Sequence, residues 1–148
     1  MSEHNVTLTW ARREASFAFK EYPREHELDF GHGHTLACTA AAEYHGQADI
    51  PDPEQAYVAA LASCHMLTFL AFCSLQNLTL DSYRDTAVGF LEKGEGGKPV
   101  LARIELHPVT TFAAGIDVPP EKLKEIHHKA HQECFLANSV KTEITTVL

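Results

Sequence analysis

The sequence has little that would suit a nucleic acid or an anionic membrane. It carries 12 Lys and Arg against 20 Asp and Glu, for a formal net charge of −8. Phosphate backbones bind basic surfaces, so this charge argues against a nucleic-acid partner, and it equally disfavours docking on anionic lipid. The 148 residues also contain no repeat, low-complexity tract or Gly/Ser linker. We therefore predict a single domain, residues 1–148.

A secretory signal and a disulfide framework are also missing. Met1–Thr9 is polar, without the basic and then apolar stretches of a signal peptide, so we expect a cytoplasmic protein. The only cysteines are Cys38, Cys64, Cys73 and Cys134, and they lack the close spacing of a disulfide scaffold. In a reducing compartment they are buried thiols, metal ligands or redox residues.

One long segment, from Gln55 to Leu80, has no charged residue. Its length would cross a bilayer, but it is rich in Ala, Ser, Thr and Cys and carries His65 near its middle. The composition favours a helix that is buried on every side in a soluble core, or one at a subunit interface.

The first third of the chain predicts strands. Val6–Trp10 and Ala15–Phe19 alternate with a period of two. Gly31-His32-Gly33 indicates a turn, and His34–Ala42 can follow it as another strand.

A strong helix start follows at residues 51–55. Asp52 is the predicted N-cap, Pro53 takes the first helical position, and Gln55 completes a capping box. The apolar pattern extends this helix to about Leu75.

The remaining patterns predict a hairpin, a helix and a final strand. Arg84–Lys93 leads into the Gly-rich turn 94–97, and the alternation in 100–107 gives the second hairpin strand. Pro119-Pro120 begins a second helix with one apolar face that ends near Cys134, and Ser139–Val147 closes the chain as a strand. This order of elements is typical of an α+β protein.

Cys64 and Cys134 are the candidate chemical residues. Cys64 lies inside the apolar helix, and Cys134 ends the second helix. Free cysteines are most often small buried hydrophobes, so neither residue alone indicates a function.

Three segments together carry a resemblance to a known family. They are Pro53-Glu54-Gln55, then Cys64-His65-Met66-Leu67, then the run His-Gln-Glu-Cys-Phe-Leu-Ala-Asn-Ser-Val at 131–140. The chain resembles the OsmC/Ohr family, the osmotically inducible and organic hydroperoxide resistance proteins, along nearly its whole length. The tail after the second cysteine looks more like the OsmC branch.

The resemblance implies a fold, an assembly and an activity. The fold is an OsmC-like α+β fold with antiparallel sheets packed around a buried central helix, made as an intertwined homodimer with two sites at the interface. The activity is that of a thiol-dependent peroxidase that needs no cofactor and takes a hydroperoxide substrate and a dithiol reductant.

The resemblance also implies roles for particular residues. Cys64 matches the peroxidatic cysteine, Cys134 the resolving cysteine and Glu54 the site glutamate. The site arginine falls best on Arg24, with Arg12 and Arg13 as rivals.

The chemistry of such a site is consistent with these residue types. A peroxidatic cysteine reacts as the thiolate, which is unfavourable in an apolar helix unless a cation offsets its desolvation. Arg24 can supply that charge, and Glu54 can hold its guanidinium by a bidentate contact. Ten helical residues rise about 15 Å, so Glu54 cannot reach the sulfur of Cys64 along one helix. We therefore predict either a helix break between them or a site completed across the dimer.

The ten histidines offer an alternative. His127, His131 and Cys134 lie at i, i+4 and i+7, a spacing that could bind a metal, or the two histidines could instead fill the edge of a helix interface. Adjacent helical side chains diverge by about 100°, so His65 is expected to pack or hydrogen-bond rather than act on Cys64. A metal-binding or small-molecule-binding dimer of the same fold therefore remains the rival prediction. Cys38 and Cys73 are predicted to be core thiols.

Overall fold

The computed structural model describes all residues, 1–148, and it has the predicted α+β composition. The chain divides into two compact units, residues 1–56 and 57–148. The two helices are α1 (Pro53–Leu75) and α2 (Pro120–Glu133). The eight strands are β1 (Thr7–Thr9), β2 (His26–Asp29), β3 (Thr35–Cys38), β4 (Leu80–Asp85), β5 (Val88–Lys93), β6 (Pro99–Leu106), β7 (Pro108–Phe112) and β8 (Glu143–Thr146).

The first unit is built on an antiparallel sheet of order β1-β2-β3. The predicted turn between β2 and β3 is confirmed, because Gly31, His32 and Gly33 all have positive φ angles of 84°, 56° and 83°. The amide of His34 donates to the carbonyl of Gly31 and closes this turn. The predicted strand His34–Ala42 is shorter than expected and covers only Thr35–Cys38. Cys38, at its end, is buried, as predicted for a core thiol.

The strand predicted at Ala15–Phe19 is wrong. This segment forms no strand, because a turn precedes it: Arg13 and Glu14 have positive φ, and the amide of Ala15 donates back to the carbonyl of Arg12. The hydroxyl of Ser16 then accepts the amide of Ala18. A serine that bonds its own backbone competes with strand pairing, and an alternating pattern alone does not reveal this.

Helix α1 begins where the capping box predicts and runs without a break to Leu75. The carboxylate of Asp52 accepts the amide of Gln55 at 2.7 Å, and the Gln55 side chain accepts the amide of Asp52 at 3.1 Å. Because no Gly or Pro follows Pro53 within the helix, nothing interrupts it between Glu54 and Cys64. The predicted helix break therefore does not occur.

Only one stripe of α1 is buried. Leu61, His65, Phe69 and Cys73 recur at every fourth position and are buried. The helix is long and apolar enough to cross a membrane by length and composition, with a mean hydropathy of 1.9, yet only 22% of that window is buried. The prediction of a helix buried on every side is thus wrong for the single chain, because only one stripe of α1 is buried.

The second unit contains two small sheets. The predicted hairpin is confirmed as the antiparallel pair β5–β6, and β8 joins β6 in parallel. A separate antiparallel pair, β4–β7, includes Arg84, which the pattern had assigned to the hairpin. The boundary between the two sheets falls after Asp85, at the end of β4. The carboxylate of Asp85 accepts the amide of His107 at 2.7 Å and so holds the end of β4 beside the link from β6 to β7.

Helix α2 begins at Pro120 as expected and packs against α1 through an apolar cluster. Its buried members are Phe69 and Cys73 from α1 and Ile126 and Ala130 from α2. This cluster brings the last turn of α2 to the middle of α1 and so positions the candidate site.

Candidate functional site: two thiols between helices

Cys64 and Cys134 meet in the second unit. Their sulfur atoms are 2.6 Å apart, and both residues are free thiols. A disulfide bond is about 2.0 Å long, so only a small movement separates this contact from a covalent bond. Two residues that are 70 positions apart in sequence thus form a closely spaced dithiol.

The two cysteines differ in environment. Cys64 is half-buried on α1, whereas Cys134 is buried at the C-cap of α2, where the amide of Ala137 donates to its sulfur at 3.4 Å. Burial and the contact with the Cys64 sulfur raise the pKa of the Cys134 thiol. Cys64 is therefore the more accessible sulfur, and Cys134 stays a protonated partner behind it.

A pair of buried histidines lies beside the dithiol. Nε2 of His65 and Nδ1 of His127 are 3.0 Å apart in hydrogen-bonding geometry, and the two ring planes are within 2° of parallel. Phe69 stacks on His127 with ring centroids 4.1 Å apart. The hydrogen-bonding role predicted for His65 is confirmed.

Burial keeps both imidazoles neutral. It lowers the pKa of His65 to about 4, helped by the nearby charge of His131, and it lowers the pKa of His127 to about 4, helped by His65. The strand β4 contributes Tyr83 and Asp85 to the same region, and burial raises the pKa of both side chains.

The histidines do not gather into a metal centre. No group of three or more His, Cys, Asp or Glu side chains is arranged to hold a metal ion. His127 is directed at His65, His131 is half-buried and His128 is exposed. The prediction that His127 and His131 fill a helix interface describes this arrangement.

The candidate arginine lies in the first unit. The guanidinium of Arg24 donates to the carbonyls of Tyr22 at 2.6 Å and Phe19 at 2.5 Å, and it lies 3.8 Å over the Tyr22 ring. Arg12 donates to the carbonyl of Ala15, and Arg13 is exposed. Of the three, Arg24 is the one most enclosed by its neighbours.

Arg24 also lines an open and mostly apolar pocket in the first unit. Its volume is about 430 Å³, which is at the small end of the range for small-molecule sites. Thr39 contributes a buried hydroxyl with no hydrogen-bond partner. The lining residues are Trp10, Phe17, Tyr22, Pro23, Arg24, His26, Thr39, Ala40 and Pro53. Glu54 follows in the first turn of α1 and is half-buried.

Sequence reasoning missed the partnership of His65 and His127. The available signal was the seven-residue spacing of His127 and Cys134, which is two helical turns, beside the adjacency of Cys64 and His65. Because each histidine lies near a cysteine on its own helix, the meeting of the cysteines brings the histidines close as well.

Two free thiols thus meet between the two helices of an α+β fold. The family model described as OsmC-like protein matches residues 46–148, and the chain belongs to that family. The search of curated protein sequences gave no match.

Solved structures agree with this family. An OsmC-like protein of unknown function from Vibrio cholerae is 38% identical, with a TM-score of 0.93 and coverage of 99% of each chain. An organic hydroperoxide resistance protein from Legionella pneumophila is 18% identical, with a TM-score of 0.67 and coverage of 100% of each chain. Another, from Bacillus subtilis, is 19% identical, with a TM-score of 0.67 and coverage of 96% of each chain. These last two establish the shared fold.

Proposed function

We propose that this protein is a thiol-dependent peroxidase that reduces hydroperoxides, with organic hydroperoxides preferred. The single observation that carries the proposal is the 2.6 Å approach of two free thiols, one half-buried and one buried. The organic hydroperoxide resistance proteins that share the fold support the same reading.

The proposed reaction has three steps. The Cys64 thiolate attacks one oxygen of the hydroperoxide and the O–O bond breaks, which gives a sulfenic acid on Cys64 and an alkoxide; the alkoxide takes up the proton that the thiol released and leaves as the alcohol. The Cys134 thiol then condenses with the sulfenic acid, which forms the disulfide and releases water. A dithiol reductant finally returns both sulfurs to thiols through a mixed disulfide.

The proposed assembly is a cytoplasmic homodimer whose sites are completed across the interface. Leu67 and Leu75 of α1 are 60% and 79% exposed in the single chain, which fits a second copy covering this apolar helix. The unbroken helix leaves completion across the dimer as the way for Glu54 to reach a reactive sulfur. Mixed dimers of Cys64→Ser and Glu54→Gln subunits are therefore expected to show activity that neither variant has alone.

Stopped-flow oxidation of the reduced protein tests the proposed activity. Cumene hydroperoxide and hydrogen peroxide are compared, and the product is identified by mass spectrometry. We expect fast oxidation to a Cys64–Cys134 disulfide, faster with cumene hydroperoxide. Oxidation of the protein by both peroxides at the rate of an ordinary free thiol would reject the peroxidase and leave a small-molecule-binding relative of the same fold.

Arg24 is expected to stabilise the reacting thiolate and peroxide. Arg24→Ala should lower the rate constant for oxidation by cumene hydroperoxide about 100-fold, as loss of a charge-stabilising donor does in other enzymes. Arg12→Ala is the matched control, because it removes the same charge from the same unit and should change the rate little. An equal effect of both substitutions would mean that general electrostatics, and not a site arginine, is responsible.

A further inference from the structure

Two contacts join α1 to α2: the contact of the Cys64 and Cys134 sulfurs, and the hydrogen bond between His65 and His127. The proposed reaction uses only the sulfur contact. Cys64 and His65 are consecutive on α1, while His127 and Cys134 lie two turns apart on α2. The sulfurs are 2.6 Å apart and the ring nitrogens 3.0 Å apart. The histidine contact is therefore fixed to the same two helices, at the same crossing, as the reactive dithiol.

The histidine pair makes a single directed bond. His65 and His127 are each 2% exposed, and the hydrogen bond between them is the only one either side chain makes, because Nδ1 of His65 and Nε2 of His127 have no partner. Such a bond needs one bare nitrogen and one N–H, which two neutral rings provide. A buried hydrogen bond is stronger than an exposed one and weakens steeply with distance and angle.

We propose that the His65–His127 hydrogen bond holds Cys134 against Cys64 by fixing the rotation and axial position of α2 on α1. Positions i and i+7 of a helix are about 20° apart, so His127 and Cys134 share one face and move together. The apolar contacts of Phe69, Ile126 and Ala130 favour burial but have no direction, and they tolerate small sliding better than a hydrogen bond does. His65 and His127 are thus positioning residues.

The surroundings of the pair contain no competing hydrogen-bond partner. His131 of α2 acts on His65, Tyr83 of β4 lies beside His127, and Asp85 in turn acts on Tyr83. The Tyr83 ring centre is 6.5 Å from that of His127, and its hydroxyl and the second Asp85 oxygen are also unpaired. Removing either ring therefore removes the only hydrogen bond that the other ring makes, beside the contact of the two sulfurs.

The test measures how well the dithiol is held together, and it needs no peroxide. Reduced protein is equilibrated with oxidised and reduced glutathione at pH 7.5, where the protein dithiol and one oxidised glutathione give the protein disulfide and two reduced glutathiones. The inference rests on the proposed function for its meaning, but this equilibrium is independent of peroxidase activity, so either can fail without the other.

The decisive variants separate hydrogen bonding from volume. The amide of Asn corresponds in position to Nδ1 of histidine and that of Gln to Nε2, so His127→Asn and His65→Gln keep a hydrogen-bonding group where the pair has one. We expect His127→Leu and His65→Leu to lower the disulfide-to-dithiol ratio at least about 10-fold, which is the effect expected when one buried hydrogen bond is lost. His127→Asn and His65→Gln should stay within about threefold of the wild type.

Two further variants of α2 serve as controls. Ile126→Val lowers the stability of α2 without touching the pair, and His128→Leu removes an exposed histidine of the same helix; neither should change the ratio. If a leucine variant fails to fold, His127→Gln replaces it, since its amide lies one methylene too far out and should lower the ratio. A ratio that is unchanged in the leucine variants, or lowered equally by Ile126→Val, would overturn the proposal. So would a wild-type protein that forms no Cys64–Cys134 disulfide in glutathione.

Discussion

Cys64→Ser is expected to abolish reduction of hydroperoxides, with a loss of at least about 10³-fold in the oxidation rate. A serine hydroxyl is not ionised at neutral pH and does not attack a peroxide oxygen, so no sulfenic acid can form. Cys134→Ser is expected to leave this first oxidation nearly unchanged. Without its partner at 2.6 Å, however, the sulfenic acid on Cys64 should proceed to sulfinic acid.

Stopped-flow kinetics and mass spectrometry of the oxidised protein check both outcomes. Cys73→Ser is the control, because Cys73 is a buried thiol on the same helix as Cys64 and belongs to the apolar cluster. It should oxidise at the wild-type rate and still form the Cys64–Cys134 disulfide. Full activity in Cys64→Ser, or protection from sulfinic acid in Cys134→Ser, would show that the reactive pair has been misassigned.

Acidification from pH 7 to pH 4 is expected to remove about 3 kcal/mol or more of the free energy of unfolding through the buried histidines. In the folded protein the pKa of His65 and of His127 is about 4, because burial disfavours the imidazolium ion. In the unfolded chain both titrate near 6.5. Between these values the unfolded state binds more protons, so this stability is complete above about pH 6.5 and is lost as the pH falls towards 4.

Urea unfolding at several values between pH 7.5 and pH 4 measures this loss. The double variant His65→Gln, His127→Asn removes both titrating groups and should show a much shallower fall. The raised pKa of Asp85 acts in the opposite direction and is common to both proteins, so it cancels in the comparison. His128→Leu, which alters an exposed histidine, should follow the wild type. Parallel pH profiles for wild type and double variant would rule out the histidine pair as the acid-sensitive element.

The local signals in the sequence predicted most elements well. The capping box of Asp52 and Gln55 fixed the first residue of α1, since its hydrogen bonds depend only on residues three apart. The Gly-rich turn between β5 and β6 likewise predicted their pairing. The failed strand at Ala15–Phe19 had the right alternation, but local turn bonds in the neighbouring residues prevailed. The pairing of β4 with β7 joins segments more than 20 residues apart and left no local signal.

The candidate site divides in the same way. A family resemblance predicted Cys64, Cys134, Arg24 and Glu54 as site residues, and the structure then showed that the sulfurs of Cys64 and Cys134 are in contact. The hydrogen bond between His65 and His127 carried no motif. It arises because two helices cross at one angle and one depth, and a sequence does not state either.

By itself, the sequence determined the acidic character of the protein and the bounds of its helices. Each of these depends on composition or on residues within a few positions of one another. Only the tertiary structure decided that Cys134 lies against Cys64, that two histidines are buried as a neutral pair beside them, and that α1 buries just one stripe of its surface. These features depend on how α2 and the two sheets of the second unit pack on α1, and packing joins residues whose separation along the chain gives no signal.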